Sequence, residues 1–255
     1  MQYSVVVLGA TGNVGGRIVQ LLIKNPLCKK LVVITRRKTD VFAAPKVFNV
    51  VVNMDRIEEE VAPYAQGVHV ALAAFGVGKG SAKMPEEEVR KIEIAYPEAF
   101  CRAARAGGAR VCGIMTAAGA NPKSGMTYAK IIGEKEKAVE SVKFEFLGIY
   151  RPAVILGNAN TPSVLNYLMP LLHWAMPSKY HSIHKNDLAR AMVAQSEQAF
   201  LAMAQGNAPK DATVKILEYK DMEPSSSRAS ATSLEQQQTA CVGLKCCGVW
   251  LLEER

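Results

Sequence analysis

An α/β fold, a doubly wound parallel sheet with helices on both faces, is what the sequence predicts, and three observations predict it. Short apolar runs and helix-period segments alternate from Tyr3 to about Arg151. The runs are nearly continuous in Val, Ile, Leu, Ala or Phe, as strands buried on both faces of a parallel sheet are. One strand–helix junction also carries three evenly spaced glycines, Gly9, Gly12 and Gly15. The β-α-β-α order then calls for right-handed crossovers within one sheet.

In chain order, strands are expected at 4–8, 31–35, 47–52, 68–74, 110–115 and 144–150, with helices at 13–24, 57–65, 85–106 and 128–142. Pro97 falls inside the third helix. It lacks an N–H and crowds the carbonyl four residues back, so the helix should kink or split near Glu93; Gly107-Gly108 ends it. Beyond Arg151-Pro152 the pattern changes, and Pro162, Pro170 and Pro177 interrupt any long element. A further amphipathic helix is expected at 185–203 and a last strand at 213–219. From 222 the periodicity lapses, and Ser225-Ser226-Ser227 and Gln236-Gln237-Gln238 mark low complexity. The expected organisation is one nucleotide-binding domain over 1–150, a part over 151–221 that completes it and builds the small substrate region, and a poorly packed tail over 222–255.

Composition narrows the classes. The chain has 255 residues, 49% hydrophobic and 21% charged, enough to bury a core without metal or disulfide staples. Its six cysteines include no Cys-x-x-Cys pair, and reduced thiols are expected. A strand starting at Tyr3 leaves no room for a leader, so a cytoplasmic location is expected. The longest apolar stretch, 164–176, contains Asn166, Pro170 and His173 and is too short and too interrupted to cross a bilayer. Net charge is +8. Much of it gathers in Lys24, Lys29, Lys30, Arg36, Arg37, Lys38 and Lys46. No basic run is interleaved with aromatics, so nucleic acid is not an expected partner. His181 and His184 are three apart but lack a third ligand nearby, so no metal is expected.

The glycines carry the main functional signal. Gly9-Ala10-Thr11-Gly12-Asn13-Val14-Gly15 follows the apolar run Val5-Val6-Val7-Leu8 and opens a helix. The first glycine permits the tight turn, the second lets backbone approach a pyrophosphate, and the third lets helix and sheet pack closely. The helix N-terminus offers unpaired N–H groups and positive dipole to phosphate. In a strand–loop–helix setting this is a dinucleotide-binding loop of Rossmann type.

The spacing Gly-x-x-Gly-x-x-Gly, with other motifs, resembles the extended and atypical short-chain dehydrogenase/reductases over about residues 3–203. The motifs are Thr35-Arg36-Arg37, Ala73-Ala74-Phe75-Gly76, Thr116-Ala117-Ala118-Gly119-Ala120-Asn121, Tyr128, Gly133-Glu134 and Arg151-Pro152-Ala153. Within that family the chain looks most like the Tat-interacting-protein-like oxidoreductases. The resemblance implies a cofactor held by Gly9, Thr11, Gly12, Asn13, Val14 and Gly15, with Ala74 and Phe75 beside it and Asp55 near the adenine. NAD-binding relatives of this fold place Asp or Glu after the second strand, where it accepts from the ribose 2′-hydroxyl. Here Arg36 and Arg37 stand instead, suited to a 2′-phosphate. NADP(H) is therefore expected ahead of NAD(H); solvated loop charges are the other reading of the two arginines.

The family's chemistry uses a Ser or Thr, a Tyr, and a Lys four residues after the Tyr. Tyr128 and Thr116 match the first two places. The third is Ile132, which has no charge. Lys130 projects roughly 200° round the helix from Tyr128, Lys135 lies on the Tyr128 face but about 10 Å along, and Lys123 precedes the helix. Three readings follow. The first is an NADP(H)-dependent oxidoreductase acting on a small carbonyl or alcohol compound, with Tyr128 helped by another cation or by the oxidised cofactor. The second is an NADPH-binding regulatory or redox-sensing protein with a protein partner. The third is a non-redox isomerase or epimerase. Tyr167, His173 and Trp174 fall where this family builds its substrate pocket.

Overall fold

The computed structural model describes residues 1–78, 83–157, 174, 176–207 and 211–223. Seven parallel strands form one sheet. They are β1 (Tyr3–Leu8), β2 (Cys28–Thr35), β3 (Val47–Val51), β4 (Val70–Ala73), β5 (Val111–Met115), β6 (Phe146–Tyr150) and β9 (Thr213–Leu217), in the order β3-β2-β1-β4-β5-β6-β9. A second, two-stranded sheet pairs β7 (Ile155–Leu156) with β8 (Ile183–His184).

The helices are α1 (Asn13–Lys24), α2 (Ile57–Ala65), α3 (Glu86–Arg90), α4 (Tyr96–Ala106), α5 (Thr127–Glu140), α6 (Lys185–Ala204) and α7 (Tyr219–Met222). Period-two alternation along β1 divides the core. Val5 and Val7 join α1 and α6 in one apolar layer, with Ile18, Leu22, Leu188 and Met192. Val6 and Leu8 join α2 and α4 in the other, with Val61, Phe100 and Ala104. Both faces of the central strands are thus covered; β3, at one edge, is an exception to the expectation of strands buried on both faces, with Phe48 and Val51 exposed.

Three features position the site. The chain reverses its winding between β1 and β4, so the segments leaving their carboxyl ends part and open a crevice. Next, α3 and α4 are joined by a π turn, Lys91–Ala95. It ends two residues before Pro97 and includes Glu93, so the disruption expected from Pro97 takes the form of a widened turn. Finally, α6 lies against α1, and β9 extends the sheet beside β6. The sequence after 151 thus supplies parts of the same layers.

Gly15 shows how tightly the loop is built. A Cβ there would run into the carbonyl oxygen of Gly9. Gly15→Ala is expected to cost about 1–3 kcal/mol through overpacking, read as a lowered midpoint in thermal unfolding; a wild-type midpoint would refute the close packing.

Met222, at the expected start of the tail, is buried and closes α7. The rest of that tail, 224–255, lies outside the described residues, as do Tyr167, His173 and most of 164–176. Cys28, Cys101 and Cys112 are buried free thiols; the other three cysteines are not among the described residues. Among the described residues, no helix is long and apolar enough to cross a membrane.

Candidate cofactor cleft and active site

The glycine loop runs from β1 into α1. Gly9 has φ +88°, and a Cβ on it would collide with the carbonyl of Ala74, so the loops leaving β1 and β4 touch here. Gly12 is the N-cap of α1, with no side-chain cap and no acidic residue in the first turn. A Cβ at Gly12 would meet only the backbone oxygens of Gly9, at 3.2 Å, and Ala74, at 3.9 Å. The first N–H groups of α1 are therefore free of side-chain partners, beside bare backbone. That arrangement fits a pyrophosphate on physical grounds: donors and dipole face the anion and no Cβ intervenes.

Beside this loop lies a cleft of about 420 Å³. Gly12, Asn13 and Val14 form one wall and Ala74, Phe75, Gly76 and Val77 another. Thr116, Tyr128, Ile132, Pro152 and Ala153 complete its lining, with Glu93 and Lys135. The structure thus gathers Gly12, Asn13, Val14, Ala74, Phe75, Thr116 and Tyr128 around one space. Gly9, Thr11 and Gly15 shape the loop without lining the cleft.

The remaining sequence candidates stand elsewhere. Arg36 and Arg37 are exposed just past the end of β2, on the same edge of the sheet, and neither guanidinium bonds another described residue. Asp55 is not in the cleft wall. Its carboxylate is held by Lys91 Nζ at 2.6 Å and accepts from the Tyr96 hydroxyl at 2.6 Å. The lysine, then the tyrosine, hold its pKa below the usual carboxylate value. It borders a separate surface groove between α2 and α4. Trp174 is exposed, and the histidines serve locally: His184 caps α6 by accepting from Asn186 N.

Tyr128 begins α5. It is 44% exposed, and its hydroxyl has no hydrogen-bond partner among the described residues. Loss of solvent around the phenol, then the charge of Glu93, push its pKa up to about 12. Thr116 is differently placed. Its hydroxyl is 2.8 Å from Glu136 Oε1 and 3.2 Å from the Tyr150 carbonyl. Its single proton is committed inside the wall, so it does not offer the donor that orienting a carbonyl requires. Of the two candidates, Tyr128 has the free proton.

Helix α5 holds the walls through two neighbouring charges. Glu136 takes Arg151 in a bidentate pair, at 2.9 and 2.5 Å, which ties the segment leaving β6 to the helix. Lys135 turns the other way. Its ammonium lies 2.9 Å from the Phe75 carbonyl and 3.0 Å from Glu93 Oε2. Lys130 and Lys123 are exposed and take no part. Gly133 lets the helix close on the loop at Asn121 and Pro122, where a Cβ would overlap backbone.

Sequence reasoning placed Lys135 on the Tyr128 face but gave it no partner, and it gave Glu93 no role. A signal was available. Glu93 falls in the inward stripe Val89, Glu93, Pro97, Phe100, and Lys135 in Ile131, Ile132, Lys135, Val139. Two opposite charges at core positions of successive helices are a candidate pair, because a lone buried charge is too costly to keep.

No family model matches the chain. Individual proteins do. The mitochondrial protein FMP52 of Lodderomyces elongisporus is 30% identical over 168 residues, 63% of this chain and 70% of that protein. HTATIP2 of Rattus norvegicus is 30% identical over 155 residues, 60% of this chain and 63% of that protein. Among solved structures, a UDP-N-acetylglucosamine 4-epimerase from Bacillus cereus superposes with TM-score 0.59 at 14% identity, covering 85% of this chain and 79% of that one. A short-chain dehydrogenase from Burkholderia cenocepacia, in complex with NADP, gives 0.54 at 13%, covering 94% and 97%. These structural likenesses speak to the fold. The expectation of a cytoplasmic location is overturned, since the fungal relatives are named mitochondrial. The position of the first strand was too weak a basis for a compartment.

Proposed function

The chain belongs to the atypical short-chain dehydrogenase/reductases, alongside the proteins named FMP52 and HTATIP2, and on that premise we propose that it is an NADP(H)-dependent oxidoreductase that reduces a small carbonyl compound. A nicotinamide dinucleotide is the cofactor class of the fold's neighbours. The observation that carries the reading is Tyr128, whose hydroxyl has no hydrogen-bond partner among the described residues and which lines one cleft with the glycine loop.

When bound, the reduced cofactor supplies the hydride. Residues at the α1 N-terminus would hold its pyrophosphate, and Arg36 and Arg37, exposed past the end of β2, would pair with its 2′-phosphate. The 75–77 segment and Met115 wall the other half. Tyr128 donates its proton to the carbonyl oxygen as negative charge develops there. Thr116, through Glu136 and Arg151, holds the wall behind it. Residues 1–150 carry the cofactor and 151–221 complete the substrate side. The compartment of the fungal relatives, the mitochondrion, is carried over with the reading.

The raised pKa of Tyr128 sets a direction. The neutral phenol is the donor; it is nearly all present two units or more below a pKa of about 12 and is lost as pH rises through that value. Reduction is expected to show no descending limb in kcat/KM between about pH 6 and 10. Alcohol oxidation needs the phenolate and should rise with pH over the same range. A reduction limb falling near pH 8 would contradict this assignment.

A second reading rests on Ile132: a cofactor-binding protein with no turnover and a protein partner. The test is NADPH oxidation by the purified chain over a panel of aldehydes and ketones, with NADPH binding measured in parallel. Substrate-dependent oxidation supports the reductase. Tight binding without turnover over the whole panel replaces it with the second reading.

A further inference from the structure

The wall of the cleft contains a buried ion pair that cofactor binding at the glycine loop and proton transfer at Tyr128 both leave unexplained. The side chains of Glu93 and Lys135 are 3% and 2% exposed. Stability is a poor reason to keep them. Desolvating two charges costs several kcal/mol each, and apolar residues of similar volume in their place are often neutral or stabilising.

What distinguishes the pair is its hold on backbone. Lys135 Nζ donates to the Phe75 carbonyl at 2.9 Å. Glu93 Oε1 accepts from Val77 N at 2.8 Å. The two bonds flank Gly76, where a Cβ would stand 2.6 Å from Glu93 Oε1. Residues 75–77 line the cleft, and the preceding Ala74 abuts Gly9. The pair therefore sets how the loop beyond β4 stands against the glycine loop. It does so on the side of β1 away from Arg36 and Arg37, over which the second half of a dinucleotide would extend.

The geometry points to Glu93 and Lys135 as the positioning pair of the cofactor cleft: it fixes the 75–77 wall, against which the nicotinamide half of a bound cofactor would lie. Glu93 is brought to this place by the π turn, and Lys135 by its position two turns beyond Tyr128. The inference rests on the cofactor reading above.

The test is a double variant, Glu93→Leu with Lys135→Met, which removes both backbone holds and leaves no unpaired charge. Two probes are titrated: NADPH, and adenosine 2′,5′-bisphosphate, which keeps the adenosine half and lacks the nicotinamide and its ribose. The Kd for NADPH is expected to rise about tenfold or more, with that for the fragment changed by less than about twofold. Gly76→Ala, which crowds the pair without removing charge, is expected to give the same split, and it serves if the double variant does not fold. Unchanged NADPH affinity overturns the proposal. So does an equal loss for both probes, because a merely structural pair would weaken the whole site. If the wild-type chain binds neither probe, the cofactor reading itself falls and takes this inference with it.

Discussion

Tyr128→Phe is expected to lower carbonyl reduction by about 10²- to 10⁴-fold in kcat, the usual contribution of a positioned general acid, while NADPH binding stays within about twofold. The substitution removes one oxygen from a side chain that is nearly half exposed and has no hydrogen-bond partner among the described residues, so the fold loses nothing measurable. The effect should fall on kcat and kcat/KM together, the pattern of an interaction made only in the transition state. Thr116→Val should look different. It removes a hydroxyl bonded to Glu136, so its cost is shared with stability and with the Arg151 segment. If Tyr128→Phe keeps more than about a tenth of wild-type turnover, the proton comes from elsewhere, and water entering the open cleft becomes the donor to examine.

Much of this could be read from the chain, for identifiable reasons. Strands buried on both faces have to be apolar throughout, so β1, β5 and the 31–35 part of β2 stand out from the sequence as continuous runs, while Lys29 and Lys30 hid the start of β2 at Cys28. The glycine spacing is visible because each glycine answers a local demand: Gly9 a positive φ, and Gly15 a close approach to Gly9. Pro97 announced a defect because its covalent structure forbids a regular turn. What the sequence hid were long-range partners. The commitment of Thr116 depends on Glu136, twenty residues on, and on the end of β6. The partner of Lys135 comes from another helix, 42 residues earlier. The helical period brings Lys135 to the Tyr128 face, but only the crossing of the π turn over α5 brings Glu93 to meet it. The carboxylate of Asp55 is turned away from the cleft by Lys91 and Tyr96, which are likewise remote in sequence.

The other large effect concerns the cofactor's far end. Arg36→Ala with Arg37→Ala is expected to weaken NADPH binding by about 100-fold and NADH binding by less than about threefold, the loss of two charge-assisted contacts to one phosphate. Both guanidiniums stand free at the end of β2, so removing them breaks no described ion pair, and stability should be untouched. That separates this variant from the Glu93–Lys135 variants, whose loss falls on the nicotinamide side. It also makes a salt test informative. Binding that depends on exposed cations is screened within about 10 Å at 0.1 M salt, so the wild-type preference for NADPH over NADH should shrink as salt is raised. In the double alanine variant the ratio should be near one and flat with salt. Equal losses for both cofactors would instead show that the arginines act on the pyrophosphate or on the loop itself, and the preference for a 2′-phosphate would have no residue left to carry it.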